Sequence, residues 1–134
     1  MYKHILIPVA PDHFGEYAKA LSVTRKLIAE GGRVSVLTVL EQVPSYIEAY
    51  IPDGQIEKNK AEVSNSLVAE FQGEGAESHV LIGHSANSIL DWADENDVDC
   101  IVVLSHRPGF SDYFIGSTAA RIVRHAKCAV HVLR

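Results

Sequence analysis

The chain has 134 residues, 47% of them apolar and 22% charged, with a formal net charge of −5. That length suits one domain with a two-layer or three-layer core, and the acidic balance works against nucleic acid and anionic membranes as bulk electrostatic partners. Any anion must be held by a local arrangement of donors.

The first apolar run, Tyr2 to Val9, reads as a strand. It is too short and too soon interrupted by Pro8 for a signal peptide, and no apolar run approaches ~20 residues, so a soluble, unexported, cytoplasmic protein is expected. A first helix is predicted from about His13 to Glu30, with Asp12 as N-cap and Gly31-Gly32 as its stop. Leu21, Thr24, Leu27 and Ile28 form its core-facing stripe. A second strand is predicted from Arg33 to Leu40. Glu41 to Gly54 follows, with Pro44, Pro52 and Gly54 beside Tyr46, Ile47, Tyr50 and Ile51, and reads as an irregular excursion with apolar anchors, a lid or an interface.

The second helix is predicted over about Gln55 to Gln72, presenting Ile56, Val63, Leu67, Val68 and Phe71, before a turn at Gly73-Glu74-Gly75. A strand from Ser78 to Gly83 leads to a third helix, Asn87 to Asn96, carrying Ile89, Leu90 and Trp92-Ala93. A fourth strand is expected from Asp99 to Leu104. The last helix starts at Ser117 and ends near Lys127, with Ala120, Ile122, Val123 and Ala126 as its buried positions, and Ala129 to Leu133 closes as a fifth strand. Ile5-Leu6-Ile7 and Ile101-Val102-Val103-Leu104 are continuously apolar, as strands buried on both faces are, which predicts a parallel sheet covered by helices.

Ligands of such open sheets sit beyond the carboxyl ends of the strands, where the strand order reverses. Ala10-Pro11-Asp12, Glu41, Gly83-His84-Ser85 and Ser105-His106-Arg107 hold those places. The strongest signal runs from Ser105-His106-Arg107-Pro108 to Gly116-Ser117-Thr118. Gly116 allows close backbone approach, Ser117 and Thr118 put hydroxyls and amides at a helix start, and Arg107 adds a forked cation, all suited to phosphate oxygens. The plainer alternative is that Gly116 turns the chain and Ser117 caps the helix.

Seven histidines raise a metal reading, with His13, His84 and His106 near Asp12, but their spacing matches no local metal motif and surface histidines are simpler. Only His106 is assigned a role. Cys100 and Cys128 lie in apolar surroundings and read as core residues rather than a disulfide framework, a metal set or reactive thiols. Trp92 and the Phe110, Tyr113, Phe114 group read as core or dimer packing, with Tyr113 able to flank the pocket. The chain has neither a P-loop lysine motif nor a G-x-S-x-G elbow. It also lacks a glycine-rich loop after strand one and the acceptor aspartate a receiver domain carries after strand three.

The stretch Cys100 to Arg134, with Ser105-His106-Arg107-Pro108, Tyr113, Gly116-Ser117, Val123-Arg124-His125-Ala126 and Val130-His131-Val132-Leu133-Arg134, resembles the carboxyl-terminal signature of the universal stress protein family, and in particular its F/G-type branch. The opening Tyr2-Lys3-His4-Ile5-Leu6-Ile7-Pro8-Val9 resembles that family's first strand, and Val80 to Gly83 with Ile89 its third strand and helix, so the likeness spans residues 1–134 as one domain. The family's nucleotide-binding members carry G-x-x-G, nine residues, then G-[S/T]. Here Leu104 and Arg107 replace the first two glycines while Gly116 and Ser117 match, and Ala10 stands where an aspartate is usual.

The resemblance implies a doubly wound, Rossmann-like α/β domain of the adenine nucleotide alpha hydrolase type, with a five-stranded parallel sheet of order 3-2-1-4-5. It implies ATP, or ADP or AMP, held at the phosphates by Ser105, His106, Arg107, Gly116, Ser117 and Thr118. Pro8, Val9 and Val39 line the adenine and ribose end, and Ala10 and Val103 count among the binding positions. Asp112 is the loop carboxylate able to approach a Mg²⁺ ion. The apolar edge of the last strand needs covering or pairing, and the resemblance implies a homodimer joined there. With no placed general base and no activated nucleophile, the expectation is a regulatory or protective stress-response module that binds rather than turns over its nucleotide, and whose protein partner the sequence does not name. Two alternatives stay open. One is a slow nucleotide-hydrolysing or self-phosphorylating enzyme using His106; the other is a dimeric interaction module in which Ala10 marks a lost adenosine site.

Overall fold

Alternation of apolar runs with helices resolves into one five-stranded parallel sheet of order β3-β2-β1-β4-β5. The computed structural model describes residues 1–11, 14–105 and 115–134. The strands are β1 (Tyr2–Pro8), β2 (Ile28–Glu41), β3 (Ala76–Gly83), β4 (Cys100–Leu104) and β5 (Ala129–Leu133). The α-helices are α1 (Ala18–Leu27), α2 (Ser45–Glu48), α3 (Gln55–Glu70), α4 (Ser85–Glu95) and α5 (Ser117–His125). Successive residues of β1 serve opposite layers, because side chains alternate across a strand. Ile5 and Ile7 pack with Tyr17, Ala20, Leu67 and Phe71 on the α1/α3 side, while Leu6 packs with Ile89, Trp92, Ala119 and Ile122 on the α4/α5 side. Ile5, Leu6, Ile7, Leu67, Ile101 and Ile122 are wholly buried, each contributing about 1.5–3 kcal/mol by leaving water. This is the doubly wound arrangement expected.

The first helix departs from expectation at both ends. A 3₁₀ turn (Phe14–Tyr17) precedes it, and the helix stops at Leu27 because Ile28 is already extended (φ −74°, ψ 139°). Gly31 and Gly32 therefore lie inside β2. Between the pairs Tyr2↔Ile28 and His4↔Arg33, β1 advances two residues and β2 five, so the glycines form a bulge. Gly31 sits at φ +75°, and a Cβ on Gly32 would meet the Ile28 side chain at 2.7 Å. A left-handed glycine serves a bulge as well as a helix stop, which is why the pair misled the helix assignment.

Two predicted stripes are each off at one position. On α3, Leu67 is buried but Val68 is 52% exposed; on α5, Ala119 and Ile122 are buried while Val123 is 47% exposed. The excursion after β2 is not anchored as expected, since Tyr46, Ile47 and Tyr50 are exposed and only Ile51 is partly covered.

The histidines are not all on the surface. His4 is buried, with Nδ1 2.9 Å from the Asn96 carbonyl and Nε2 2.8 Å from Ser35 Oγ. A carbonyl only accepts, so Nδ1 donates to Asn96, and Nε2 pairs with the Ser35 hydroxyl, which leaves both ring nitrogens of this core histidine with a partner. Trp92 packs edge-on to it at 5.9 Å and against His79 at 4.9 Å. Beneath β1, the Asp99 carboxylate accepts the backbone N–H groups of Lys3 (2.9 Å) and His4 (3.0 Å). Burial raises its pKa, but these bonds outweigh burial and hold the carboxyl below its ordinary value.

Candidate nucleotide site at the carboxyl edge of the sheet

The strand order reverses between β1 and β4, and there the sheet comes apart. β1 pairs with β2 as far as Pro8↔Leu37, and β4 pairs with β5 as far as Leu104↔Leu133. Pairing between β1 and β4 ends earlier, at Leu6↔Ile101. Neighbouring residues of a strand aim their backbone groups at opposite sides. Val9 donates to Leu37 O on β2 (2.8 Å), and the His4 carbonyl accepts from Asp99 N on the β4 side (3.0 Å). Pro8 therefore faces β4, and proline has no N–H to continue that ladder. The result is a crevice at the switch point of a doubly wound sheet.

One wall of the crevice is β4 running toward α5. Val103 and Ser105 are buried, Ser105 N donates to Leu133 O (2.8 Å), and Gly116 N donates to Ser105 O, so the two ends of the intervening loop are drawn together. The loop itself, including the predicted His106 and Arg107 along with Asp112 and Tyr113, lies outside the described residues. Gly116 is the N-cap of α5 at φ −61°, ψ 152°, ordinary extended backbone open to other residues, so its backbone conformation does not require glycine. Gly116 has no side chain with which to cap the first-turn amides, and Ser117 does not cap the helix as the plainer reading had it. Ser117 is exposed and Thr118 half-buried at that turn, which offers N–H groups and hydroxyls with the positive end of the helix dipole.

The other wall is the end of β1 against β2. Pro8, Val9 and Val39 are buried. Thr38 Oγ1, itself wholly buried, donates to Val9 O (3.0 Å), and Ala10 N donates to the Tyr17 hydroxyl (2.8 Å). Sequence reasoning missed these two holders; a threonine within an apolar run, as Thr38 is, was the signal. Ala10 brings no carboxylate and its N–H is already engaged, so this end presents apolar surface. The described residues thus fit a ligand with a flat apolar end and an anionic end: apolar walls on β1 and β2, and the first-turn amides of α5 behind a glycine N-cap.

The remaining expectations resolve more simply. His84 is the exposed residue before α4, and His13 lies outside the described residues. Among the described residues no group of three His, Cys, Asp or Glu side chains could hold a metal. Cys100 is buried and free, and burial, then the neighbouring Cys128 and Asp99, pushes its thiol up to about 11. Cys128 is only half-buried, and burial raises its pKa as well. Both thiols are thereby kept from nucleophilic chemistry near neutral pH. Among the described residues no helix is long and apolar enough to cross a membrane.

The sequence profile of the Universal stress protein family matches residues 1–134. Universal stress protein G of Escherichia coli O157:H7 is 26% identical over 142 aligned residues, covering 100% of both chains. The fold matches the universal stress protein UspA from Lactobacillus plantarum with a TM-score of 0.70 at 20% identity, over 99% of this chain and 98% of that one. It also matches the universal stress protein from Archaeoglobus fulgidus in complex with dAMP (TM-score 0.62, 23% identity, 99% and 98% covered). A family protein from Arabidopsis thaliana with AMP bound aligns at TM-score 0.59 and 17% identity, over 96% and 90%.

Proposed function

The chain belongs to the universal stress protein family, and from that premise we propose that it binds an adenine nucleotide, ATP or its di- or monophosphate, in the crevice between β1 and β4. The observation that carries this is the β1–β4 ladder ending at Leu6↔Ile101 on the side where α5 starts from a glycine N-cap, which offers no side chain to its first-turn amides. The phosphates lie at Gly116, Ser117 and Thr118, with Ser105 shaping the β4 end and His106 and Arg107 supplying donors from the loop. Adenine and ribose lie against Pro8, Val9, Ala10, Val39 and Val103. Relatives of the same fold that hold dAMP and AMP support the adenine class of ligand. With triphosphate, a Mg²⁺ ion accompanies the phosphates.

The nucleotide acts as a regulatory ligand of a cytoplasmic stress-response module of the F/G type, with Ser105-His106-Arg107-Pro108 as its loop variant. Two copies pair along β5, the edge strand of the sheet, which sedimentation tests: a monomer at micromolar protein contradicts the pairing. Nucleotide released from freshly purified protein and identified by mass spectrometry tests the binding. An adenylate is expected, and its absence together with no uptake of added ATP overturns the reading. Incubation with ATP for hours separates ligand from substrate. Background-level turnover, equal in a His106→Ala variant, is expected, whereas turnover lost in that variant makes the protein an enzyme.

A further inference from the structure

A second cavity, sharing no residue with the nucleotide crevice, opens at the β2–β3 end of the same edge, with a volume of about 640 Å³. The ends of the two strands are tied by Gln42 N donating to Gly83 O (3.2 Å). The excursion after β2 and the first half of α3 rise over them. Leu40 and Ile82 from the strands and Val43, Ile51, Ile56 and Val63 from the excursion and α3 give it an apolar interior. That size and lining are those of a small-molecule site rather than a packing void.

Its polar groups share one sign. Glu41, Glu48 and Glu62 line it, the neutral Gln42 and Asn59 complete the polar set, and among the described residues no Lys, Arg or His lines it; Lys58 and Lys60 of α3 are not part of the lining. Glu41 accepts the N–H of Ser85 (3.2 Å) through Oε1, whereas Glu48 and Glu62 are exposed on α2 and α3. A ligand entering this site meets apolar surface inside and negative charge around it, the reverse of what a nucleotide phosphate needs.

We propose that this cavity binds a small organic cation, an amine carrying an alkyl or aryl body, with the body against Leu40, Ile56, Val63 and Ile82 and the ammonium beside Glu48 and Glu62. Charge complementarity selects this class: an anion of the same shape is repelled, and a neutral one gains only the apolar contact.

The test is a titration of ¹⁵N-labelled protein, followed by amide chemical shifts, with n-octylammonium, n-octanol and n-octanoate as probes of one body and three charges. Octylammonium is expected to shift the amides of Val43, Ile51, Ile56 and Val63 and to bind at least ~10-fold more tightly than octanoate. A Glu48→Gln/Glu62→Gln variant should bring octylammonium close to octanol, while Glu57→Gln, on α3 but outside the lining, should leave it unchanged. Equal binding of all three probes, shifts centred elsewhere, or no shifts with octylammonium overturns the proposal.

Discussion

Among the helices that begin at the carboxyl edge of the sheet, α4 and α5 have differently furnished amino termini. α4 begins at Ser85, and the carboxylate of Glu41 at the end of β2 accepts its first N–H, so the protein supplies the anion that this helix dipole favours. α5 begins after Gly116, which has no side chain to offer, and no acidic residue lies in its first turn. Among the described residues, one terminus is thus closed by a glutamate of its own chain, and the other, with glycine, serine and threonine, is suited to an anion from outside. The α5 terminus is also the one beside the β1–β4 crevice.

The largest effects separate seating a helix from using its terminus. Ile89 on α4 and Ile122 on α5 are both buried core anchors, so Ile89→Ala and Ile122→Ala should each lower stability by about 2–5 kcal/mol in urea unfolding. Only Ile122→Ala should also weaken ATP binding, measured where both variants remain folded; equal loss of affinity in the two would erase the distinction. Arg107→Ala should weaken ATP binding by about 1.5–3 kcal/mol, the range for a hydrogen bond to a charged group, with the thermal midpoint of the free protein unchanged. Unaltered affinity would remove Arg107 from the site. Glu41→Gln should lower stability by about 0.3–1 kcal/mol through the start of α4, and a variant as stable as the parent at low salt would show that Glu41 does not serve that terminus.

The smallest effect lies at the opposite edge. Asp99 has a folded-state pKa below its unfolded value, so its stabilisation is complete above the unfolded pKa of ~3.9 and is lost as pH falls through the lower folded value. Acid unfolding of Asp99→Asn should lack that part of the pH dependence, and superimposable acid limbs for variant and parent would dismiss the Lys3 and His4 hydrogen bonds as its source.

Much of this architecture was legible. Continuous apolar runs such as Ile5-Leu6-Ile7 announce a doubly covered parallel sheet, and β5 begins and ends where the run Ala129 to Leu133 does. The strand order came from the family resemblance rather than from periodicity. What failed was local. Gly31-Gly32 is ambiguous between a helix stop and a bulge, because both use left-handed backbone, and only the long-range pairing of Tyr2 with Ile28 decides. Val68 and Val123 sat one position off the true stripe, where apolar content points to a helix but not to its rotation. At the site, the positions flanking the crevice were readable from strand ends, whereas the role of Pro8 in halting the β1–β4 ladder required the side toward which its backbone faces. Thr38 and Tyr17 hold β1 from distant positions, and no spacing rule links them to Val9 and Ala10. His4 read as one of seven interchangeable histidines until Ser35 and the Asn96 carbonyl closed around it.

The central claim is that the α5 terminus takes the anionic end of an adenine nucleotide. Calorimetric titration of the protein with ATP and, separately, with adenosine tests it most directly, because the two share the apolar end and differ only in phosphate. The account predicts saturable ATP binding near one per chain, with adenosine at least ~10-fold weaker. No heat and no thermal shift at ~1 mM ATP, or adenosine binding as tightly as ATP, would contradict it.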